Sequence, residues 1–105
     1  MTRLLPILPL RDIEWIEAAD NYARVWSAGK SFLMRESLAD LEQRIGTHGF
    51  ARAHRRALVR LSAVRALNGT RDGDLTVELE SGVRIQVSRR RRASFAKAVE
   101  TAAGR

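Results

Sequence analysis

The chain has 105 residues, 45% of them hydrophobic, which predicts one domain with a modest core and excludes a disordered chain. It contains no cysteine, which excludes disulfides, thiolate zinc sites and cysteine nucleophiles, and which is compatible with the cytoplasmic location that we expect. The net charge is +7, and residues 51–92 carry eleven arginines against four acidic residues, so we expect one basic face for an anionic partner.

The first third of the chain predicts short antiparallel strands. Residues 1–10 read as an N-terminal strand with its prolines at positions that an edge strand tolerates. Residues 12–18, 22–28 and 31–35 are rich in β-branched and aromatic side chains, and turn-forming residues separate them. The pattern predicts a hairpin or meander, with the two tryptophans, Trp15 and Trp26, in the core or on a sheet face.

One short helix interrupts the strands. Ser37 is suited to cap a helix N-terminus, with Asp40 in the place of the acidic partner of a capping box. Apolar residues then recur at helical spacing, and Gly46 ends the pattern. These signals predict a helix over Leu38–Ile45.

The second half of the chain returns to strands. Residues 61–68 predict a strand or extended chain, and Asn68-Gly69 and Asp72-Gly73 are both turn signals. Residues 75–79 and 83–87 alternate apolar and polar side chains with a period of two. They predict a hairpin with one buried face and one exposed face.

Residues 50–60, F-A-R-A-H-R-R-A-L-V-R, combine apolar anchors with several cations. A buried strand would not carry this many guanidinium groups, because an unpaired buried charge is very costly. A disordered basic tail would not carry the anchors Phe50, Leu58 and Val59. We therefore predict a structured element that is fixed to the core at both ends and presents its middle to an anionic partner.

A second basic stretch, Ser88 to Arg92, follows the predicted hairpin directly. Residues 93–103 have apolar side chains at helical spacing and predict a C-terminal helix with a basic first turn. Cations at a helix N-terminus oppose the helix dipole, which favours anions there. The run is either an ordinary solvated face or a place where a phosphate binds.

His54 is the residue to consider for catalysis or metal binding. A lone histidine is more often held by a backbone hydrogen bond, and the other histidine, His48, does not complete a metal site. No Ser-His-Asp spacing stands out around Ser88, and no glycine-rich phosphate loop is present. We predict no enzymatic activity, no metal and no cofactor.

In its order of signals the chain resembles the LytTR DNA-binding domain of bacterial response-regulator transcription factors. The matching pieces are D-I-E-W-I-E-A-A-D-N-Y at 12–22, S-L-A-D-L-E-Q-R-I at 37–45, F-A-R-A-H-R-R-A-L-V at 50–59 and V-S-R-R at 87–90. The combination is more specific than any one piece. The resemblance implies one domain over residues 1–105 with its core at about 10–99.

The resemblance implies a mainly β, elongated antiparallel fold of small stacked sheets, with one short internal helix and a C-terminal helix. It also implies sequence-specific binding of double-stranded DNA by loops that enter successive major grooves. Arg55 and Arg89 are then the candidates for base edges, since arginine binds guanine in a bidentate way. The residues implied as DNA contacts are Asn21, Tyr22, Arg24, His54, Arg55, Arg56, Ser88, Arg89, Arg90 and Arg92. Among them, Tyr22 also fits a core tyrosine that follows a turn, and that is its stronger reading.

Three positions depart from the pattern of the family. Arg56 stands where a small polar residue is usual, Ala57 where an aromatic is frequent, and Arg60 where asparagine is frequent. Arg56 adds charge and can enlarge a phosphate footprint, whereas Ala57 weakens a packing anchor. The departures leave open whether Arg56 and Arg60 read DNA or hold it.

Three hypotheses of function follow. The first is transcription regulation through DNA, with paired direct-repeat sites, a homodimer on DNA, and a receiver or sensor domain elsewhere in a larger regulator. The second is a basic β module for RNA, a cyclic dinucleotide or a membrane surface. The third is a small hydrolase built on His54.

Overall fold

The computed structural model describes residues 3–4 and 8–104. Their strands form antiparallel sheets of two, five and three strands. The smallest sheet pairs β1 (Arg3–Leu4) with β2 (Leu8–Pro9). The strand predicted over residues 1–10 is therefore two short paired strands where the structure describes it, and Pro6 lies outside the described residues.

The largest sheet has the strand order β5-β4-β3-β7-β6. Its members are β3 (Trp15–Ala19), β4 (Tyr22–Ser27), β5 (Lys30–Met34), β6 (Phe50–His54) and β7 (Ala57–Arg60). The predicted meander is confirmed in β3, β4 and β5, which pair in sequence. Strand β7 pairs with β3 on one side and with β6, the edge strand of the sheet, on the other.

The start of the predicted strand at residues 12–18 was wrong. Leu10–Asp12 form a 3-10 turn, closed by the Ile13 N–H, which donates to the Leu10 carbonyl at 3.1 Å. The Asp12 carbonyl accepts a hydrogen bond from the Ser27 hydroxyl at 2.6 Å. Strand β3 itself begins at Trp15, and Glu14 just before it already bonds to the Trp26 carbonyl and to the Arg60 N–H.

The three-stranded sheet has the order β10-β9-β8. Its strands are β8 (Val64–Gly69), β9 (Leu75–Leu79) and β10 (Arg84–Val87). The hairpin predicted from residues 75–79 and 83–87 is confirmed, and its apolar side chains are the buried ones.

Two predictions near β8 were wrong. Leu61–Ala63 form a 3-10 turn before the strand begins. Asn68-Gly69 is not a turn, because these residues pair with Thr76 and Leu75 of β9. The chain reverses over residues 70–74 instead, where Gly73 supplies the positive φ of 88° that the turn requires.

Both predicted helices are present. Helix α1 spans Leu38–Ile45 with the predicted cap, since the Ser37 hydroxyl accepts from the Asp40 N–H at 3.0 Å. Helix α2 spans Arg92–Ala103 and follows a 3-10 turn at Arg89–Arg91. No side chain caps the start of α2.

Two hydrophobic cores lie on opposite faces of the five-stranded sheet. One face packs on α1, with Ile16 and Leu58 fully buried beneath the helix. The other face packs on the three-stranded sheet and on α2, whose Phe95 is 1% exposed. Strand β7 alternates between the two cores, which is why Leu58 and its neighbour Val59 are both buried. The predicted anchors Phe50, Leu58 and Val59 are confirmed.

The described part of the molecule measures 41 × 32 × 25 Å, which fits the elongated shape that was predicted. Trp15 and Trp26 stack across β3 and β4 with ring centroids 6.2 Å apart, so they are sheet-face residues. No helix in the described ranges has the length and apolar character needed to cross a membrane.

Candidate nucleic-acid interface

The register of the large sheet brings two turns to the same end. In β3 and β7, Glu17 pairs with Ala57, and the Ala18 N–H donates to the Arg56 carbonyl at 2.9 Å. The turn at 20–21 between β3 and β4 therefore lies beside the turn at 55–56 between β6 and β7. We call the second of these, residues 54–56, the basic tip.

The basic tip is held by one arginine of β6. The Arg52 Nε donates to the His54 carbonyl at 3.2 Å, and Nη2 donates to the Arg55 carbonyl at 2.7 Å. Its Nη1 forms an ion pair with Glu42 of α1. The Arg52 side chain is 12% exposed, and all three of its nitrogens have a partner, which offsets the cost of removing much of the guanidinium from water.

His54 also folds back onto the basic tip. Its Nδ1 accepts a hydrogen bond from the Arg56 N–H at 3.1 Å, as predicted for a structural histidine. A ring nitrogen that accepts must be unprotonated, so neutral His54 carries its proton on Nε2. Burial lowers the pKa of His54 below its usual range, and the charges of Arg56, Arg52, Arg55 and Arg91 lower it further.

The stretch at 88–91 forms the second wall of the site. The Ser88 N–H donates to the Ala53 carbonyl at 2.9 Å, which joins the end of β10 to β6. A groove of about 300 Å³ lies between this stretch and the basic tip. Its lining residues, which we call the basic groove, are His54, Arg55, Arg56, Ser88, Arg90 and Arg91.

The basic groove carries positive charge without an internal counter-charge. None of its lining residues is acidic. In the described ranges no carboxylate forms an ion pair with Arg55, Arg90 or Arg91. The Ser88 hydroxyl is buried without a hydrogen-bond partner among the described residues. The groove thus offers several donors to an anion from outside.

Five of the predicted contact residues meet in the basic groove, and five lie outside it. Those in the groove are His54, Arg55, Arg56, Ser88 and Arg90. Those outside are Asn21, Tyr22, Arg24, Arg89 and Arg92. Asn21 is exposed in the neighbouring turn, whereas Arg24 lies within β4 and pairs with Glu17 at 3.7 Å.

The interpretation of Tyr22 as a core residue was wrong. It is 39% exposed, and its ring lies beneath the guanidinium of Arg35 at 6.0 Å. The reason is its register. Tyr22 alternates with Ala23 along β4, and it is Ala23 that faces the α1 core. Tyr22 and Arg35 therefore lie at the end of the sheet that carries the basic tip.

The two unusual arginines of the 50–60 stretch have partners inside the protein. The Arg56 Nη2 donates to the Ala18 carbonyl at 2.8 Å and ties the two turns together. The Arg60 side chain lies at the other end of β7, where it donates to the Ile13 carbonyl and the Ser62 hydroxyl. Arg60 therefore holds the protein itself, and Arg56 does so while lining the basic groove.

Sequence reasoning missed two residues of this region. Arg91 lines the basic groove, and Gln86 lines an adjoining cavity with His54 and Ser88. Arg91 belongs to the predicted basic run, but the run alone does not say which of its members face the tip. Gln86 is one of the polar residues that the period-two pattern of residues 83–87 places on the exposed face of the predicted hairpin, and that placement could have identified it.

Replacing His54 with asparagine tests the lowered pKa. Asparagine can also accept from the N–H two residues on, so the turn keeps its hydrogen bond. The unfolded chain takes up the proton near pH 6.5 and the folded chain at a lower pH. Wild-type stability is therefore full above the unfolded pKa and is lost as the pH falls through the folded pKa. We expect His54→Asn to lose less stability on acidification, measured by urea unfolding.

The matched control for that measurement is His48→Asn. It removes the other histidine, which lies outside the basic groove. The comparison separates the effect of His54 from that of losing any one histidine. If the stability of His54→Asn followed the wild-type pH curve, the pKa of His54 would not be lowered in solution.

The described residues contain no cluster of three or more histidines and carboxylates that could hold a metal ion.

A model of the family described as the LytTr DNA-binding domain matches residues 5–100 of the chain. Among solved structures, the LytTr DNA-binding domain of a protein designated a methyl-accepting/DNA response regulator, from Bacillus cereus, has the same fold. It superposes with a TM-score of 0.80 at 22% sequence identity, covering 88% of this chain and 84% of that one. The curated proteins yield no match.

Proposed function

The chain belongs to the LytTR family of DNA-binding domains, and from this premise we propose that it recognises specific sequences in double-stranded DNA and so regulates transcription. The observation that supports this most directly is the basic groove. Four arginines line it beside a narrow hairpin tip, and none of them forms an ion pair with a carboxylate of the described residues. The major groove of B-DNA is about 12 Å wide and admits a two-stranded ribbon.

We assign the residues of the site two kinds of role. Arg55 is at the apex of the basic tip with an exposed side chain, so it is the candidate for a guanine edge in the major groove. Arg90 and Arg91 lie in the 3-10 turn directly before α2, near the positive end of the helix dipole, which attracts a phosphate, and they position the duplex. His54 and Ser88 supply shorter donors inside the groove.

The neighbouring turn extends the same surface. Asn21 and Tyr22 lie at the same end of the sheet as the basic tip, and Arg35 adds a cation above the Tyr22 ring. We propose that this turn contacts the backbone or an adjacent groove of the same duplex. Arg24 contributes less, because Glu17 already compensates its charge in part.

The larger assembly is also a proposal. The solved relative is described as a domain of a response regulator, which supports an output role for this chain beside a receiver or sensor domain. On DNA we expect two copies on paired direct repeats. A cytoplasmic location follows from the proposed partner.

Selection of bound sequences from a random duplex pool tests the proposal. A recovered motif with two half-sites about one helical turn apart would support both specific recognition and paired binding. The logarithm of the binding constant should also fall linearly with the logarithm of the salt concentration, because phosphate contacts release counterions. If single-stranded RNA or anionic vesicles bound more tightly than the selected duplex, the proposal would be wrong.

Arg55→Ala tests direct readout. We expect it to relax discrimination at one base position by about 1–3 kcal/mol, with little change at other positions. The measurement is competition between the selected duplex and single-base variants of it.

The control for Arg55→Ala is Arg84→Ala. Arg84 is an exposed arginine at the end of β10 that lies away from Ser88. Its replacement by alanine therefore removes the same charge at a position outside the basic groove. It should lower affinity slightly for all duplexes alike. If Arg55→Ala behaved in the same uniform way, Arg55 would contact phosphate and not a base.

A further inference from the structure

The loop at 70–74, between β8 and β9, lies beside the arginine run that follows β10. The register of the small sheet explains this, since Leu75 at the start of β9 pairs both with Gly69 and with Val87. The last residue of the loop therefore neighbours Ser88 and the residues after it. We call residues 70–74 the acidic loop, because it contains Asp72 and Asp74.

The acidic loop has a closely specified backbone. The Thr70 N–H donates to the Asp74 carbonyl at 2.9 Å, and the Gly73 N–H donates to the Thr70 carbonyl at 3.0 Å. The Asp74 N–H donates in turn to the Thr70 hydroxyl at 3.1 Å. Three hydrogen bonds within five residues fix the direction in which the loop presents its acceptors.

Those acceptors bind two arginines of the basic run. The Arg89 Nη2 donates both to the Asp72 carbonyl and to Asp74 Oδ1, each at 3.0 Å. Arg92 donates to the Gly73 carbonyl. A Cβ at Gly73 would lie 2.6 Å from Arg92 Nη1, so the loop and the arginine are in close contact.

The donor geometry of Arg89 decides what the bridge does. A guanidinium binds a base or phosphate in a bidentate way through two parallel N–H groups, and both such edges include one N–H of Nη2. Nη2 already donates to two acceptors of the acidic loop, which matches its two N–H groups in number. A bidentate contact between Arg89 and DNA therefore competes with the Asp72 carbonyl and the Asp74 carboxylate for Nη2.

We infer that Asp74 is a specificity-determining residue, an internal carboxylate that DNA must displace from Arg89. The inference rests on the proposed function. When a single phosphate replaces Asp74, Arg89 exchanges one anionic partner for another, and the binding free energy gains little. A guanine edge at the right position supplies two acceptors and restores the bidentate contact. Asp74 thus lowers the affinity for random duplex more than the affinity for the cognate site.

Asp74→Asn tests the inference, and Asp72→Asn is its matched control. Both remove one negative charge from the acidic loop, but only the Asp74 side chain bonds Arg89, while Asp72 bonds it through its carbonyl. We expect Asp74→Asn to tighten binding of a labelled random duplex by about two- to fivefold, which matches a largely exposed ion pair. The logarithmic salt slope should steepen by about 0.9, for one more phosphate contact.

The selected duplex should gain less from Asp74→Asn than the random duplex, so the specificity ratio falls. Asp72→Asn should change binding by less than about twofold, as expected for a screened surface charge. In an Arg89→Ala background Asp74→Asn should change binding no more than Asp72→Asn does, because the partner of Asp74 is gone.

Several results would overturn the role of Asp74. They are equal effects of Asp74→Asn and Asp72→Asn, an excess effect of Asp74→Asn that persists without Arg89, and an equal gain for the two duplexes. Each of these arises with a wild-type protein that binds duplex DNA and selects a motif. A wild-type protein that binds no duplex would instead overturn the proposed function itself, and with it the role of Asp74.

Discussion

Replacing Arg52 with methionine is expected to lower the free energy of unfolding by about 2–3 kcal/mol and to weaken duplex binding by about tenfold. Methionine keeps the packing of the stem but leaves the His54 and Arg55 carbonyls and Glu42 without their donor. The freed tip must then be ordered when DNA binds, at about 1–2 kcal/mol per residue. Urea unfolding and titration of the selected duplex measure the two effects.

Arg44→Met is the control for the Arg52 substitution. Arg44 lies on α1 and pairs with Glu36 at 2.8 Å, and its side chain is 41% exposed. Its ion-pair partner among the described residues lies outside the basic tip. We expect a loss of about 0.2–1 kcal/mol and no change in affinity. A loss of stability without a loss of affinity in Arg52→Met would show that the basic tip does not depend on Arg52.

Phe95→Ala is expected to have the largest effect on stability, about 3–5 kcal/mol. Phe95 is 1% exposed and fixes α2 against the core between the two larger sheets. The loss is a large part of the 5–15 kcal/mol that stabilises an ordinary domain. In urea the midpoint of unfolding should fall while the slope of the transition stays unchanged.

Val99→Ala, on the same helix, is the control for Phe95→Ala. Val99 is only partly buried against that core, so we expect a loss of about 0.5–1.5 kcal/mol. An equally small loss in Phe95→Ala would mean that α2 is not anchored by Phe95. The run Arg89–Arg91 leads directly into α2, so release of the helix should also weaken DNA binding.

Most of the fold was predictable from the sequence because most helices and strands carry their own local pattern of capping and apolar residues. The Ser37 cap and the spacing of apolar residues defined α1, and the period-two alternation defined the hairpin of β9 and β10. The errors of strand extent before β3 and before β8 both involve a 3-10 turn, at Leu10–Asp12 and at Leu61–Ala63. A 3-10 turn has no distinctive side-chain pattern, so apolar residues before a strand are read as part of it.

The site was predictable as a set of residues but not as an arrangement. His54, Arg55 and Ser88 were identified by type and by resemblance, and the structure brings them together in the basic groove. The partners of Arg56, Arg60 and Arg89 were not predictable. Apart from the Ser62 hydroxyl beside Arg60, each is a backbone carbonyl or a carboxylate brought near by strand pairing, such as Ala18 beside Arg56. A basic run therefore overstates the number of arginines that are free for a ligand.

Arg52 holds the basic tip through main-chain oxygens, and this has a consequence for the evolution and engineering of base preference. Because Arg52 bonds to the main-chain carbonyls of His54 and Arg55, these hydrogen bonds do not depend on which side chain stands at position 55. A library that varies residue 55 alone should yield folded proteins with altered target sequences. Position 52, by contrast, should tolerate almost no exchange in the same library.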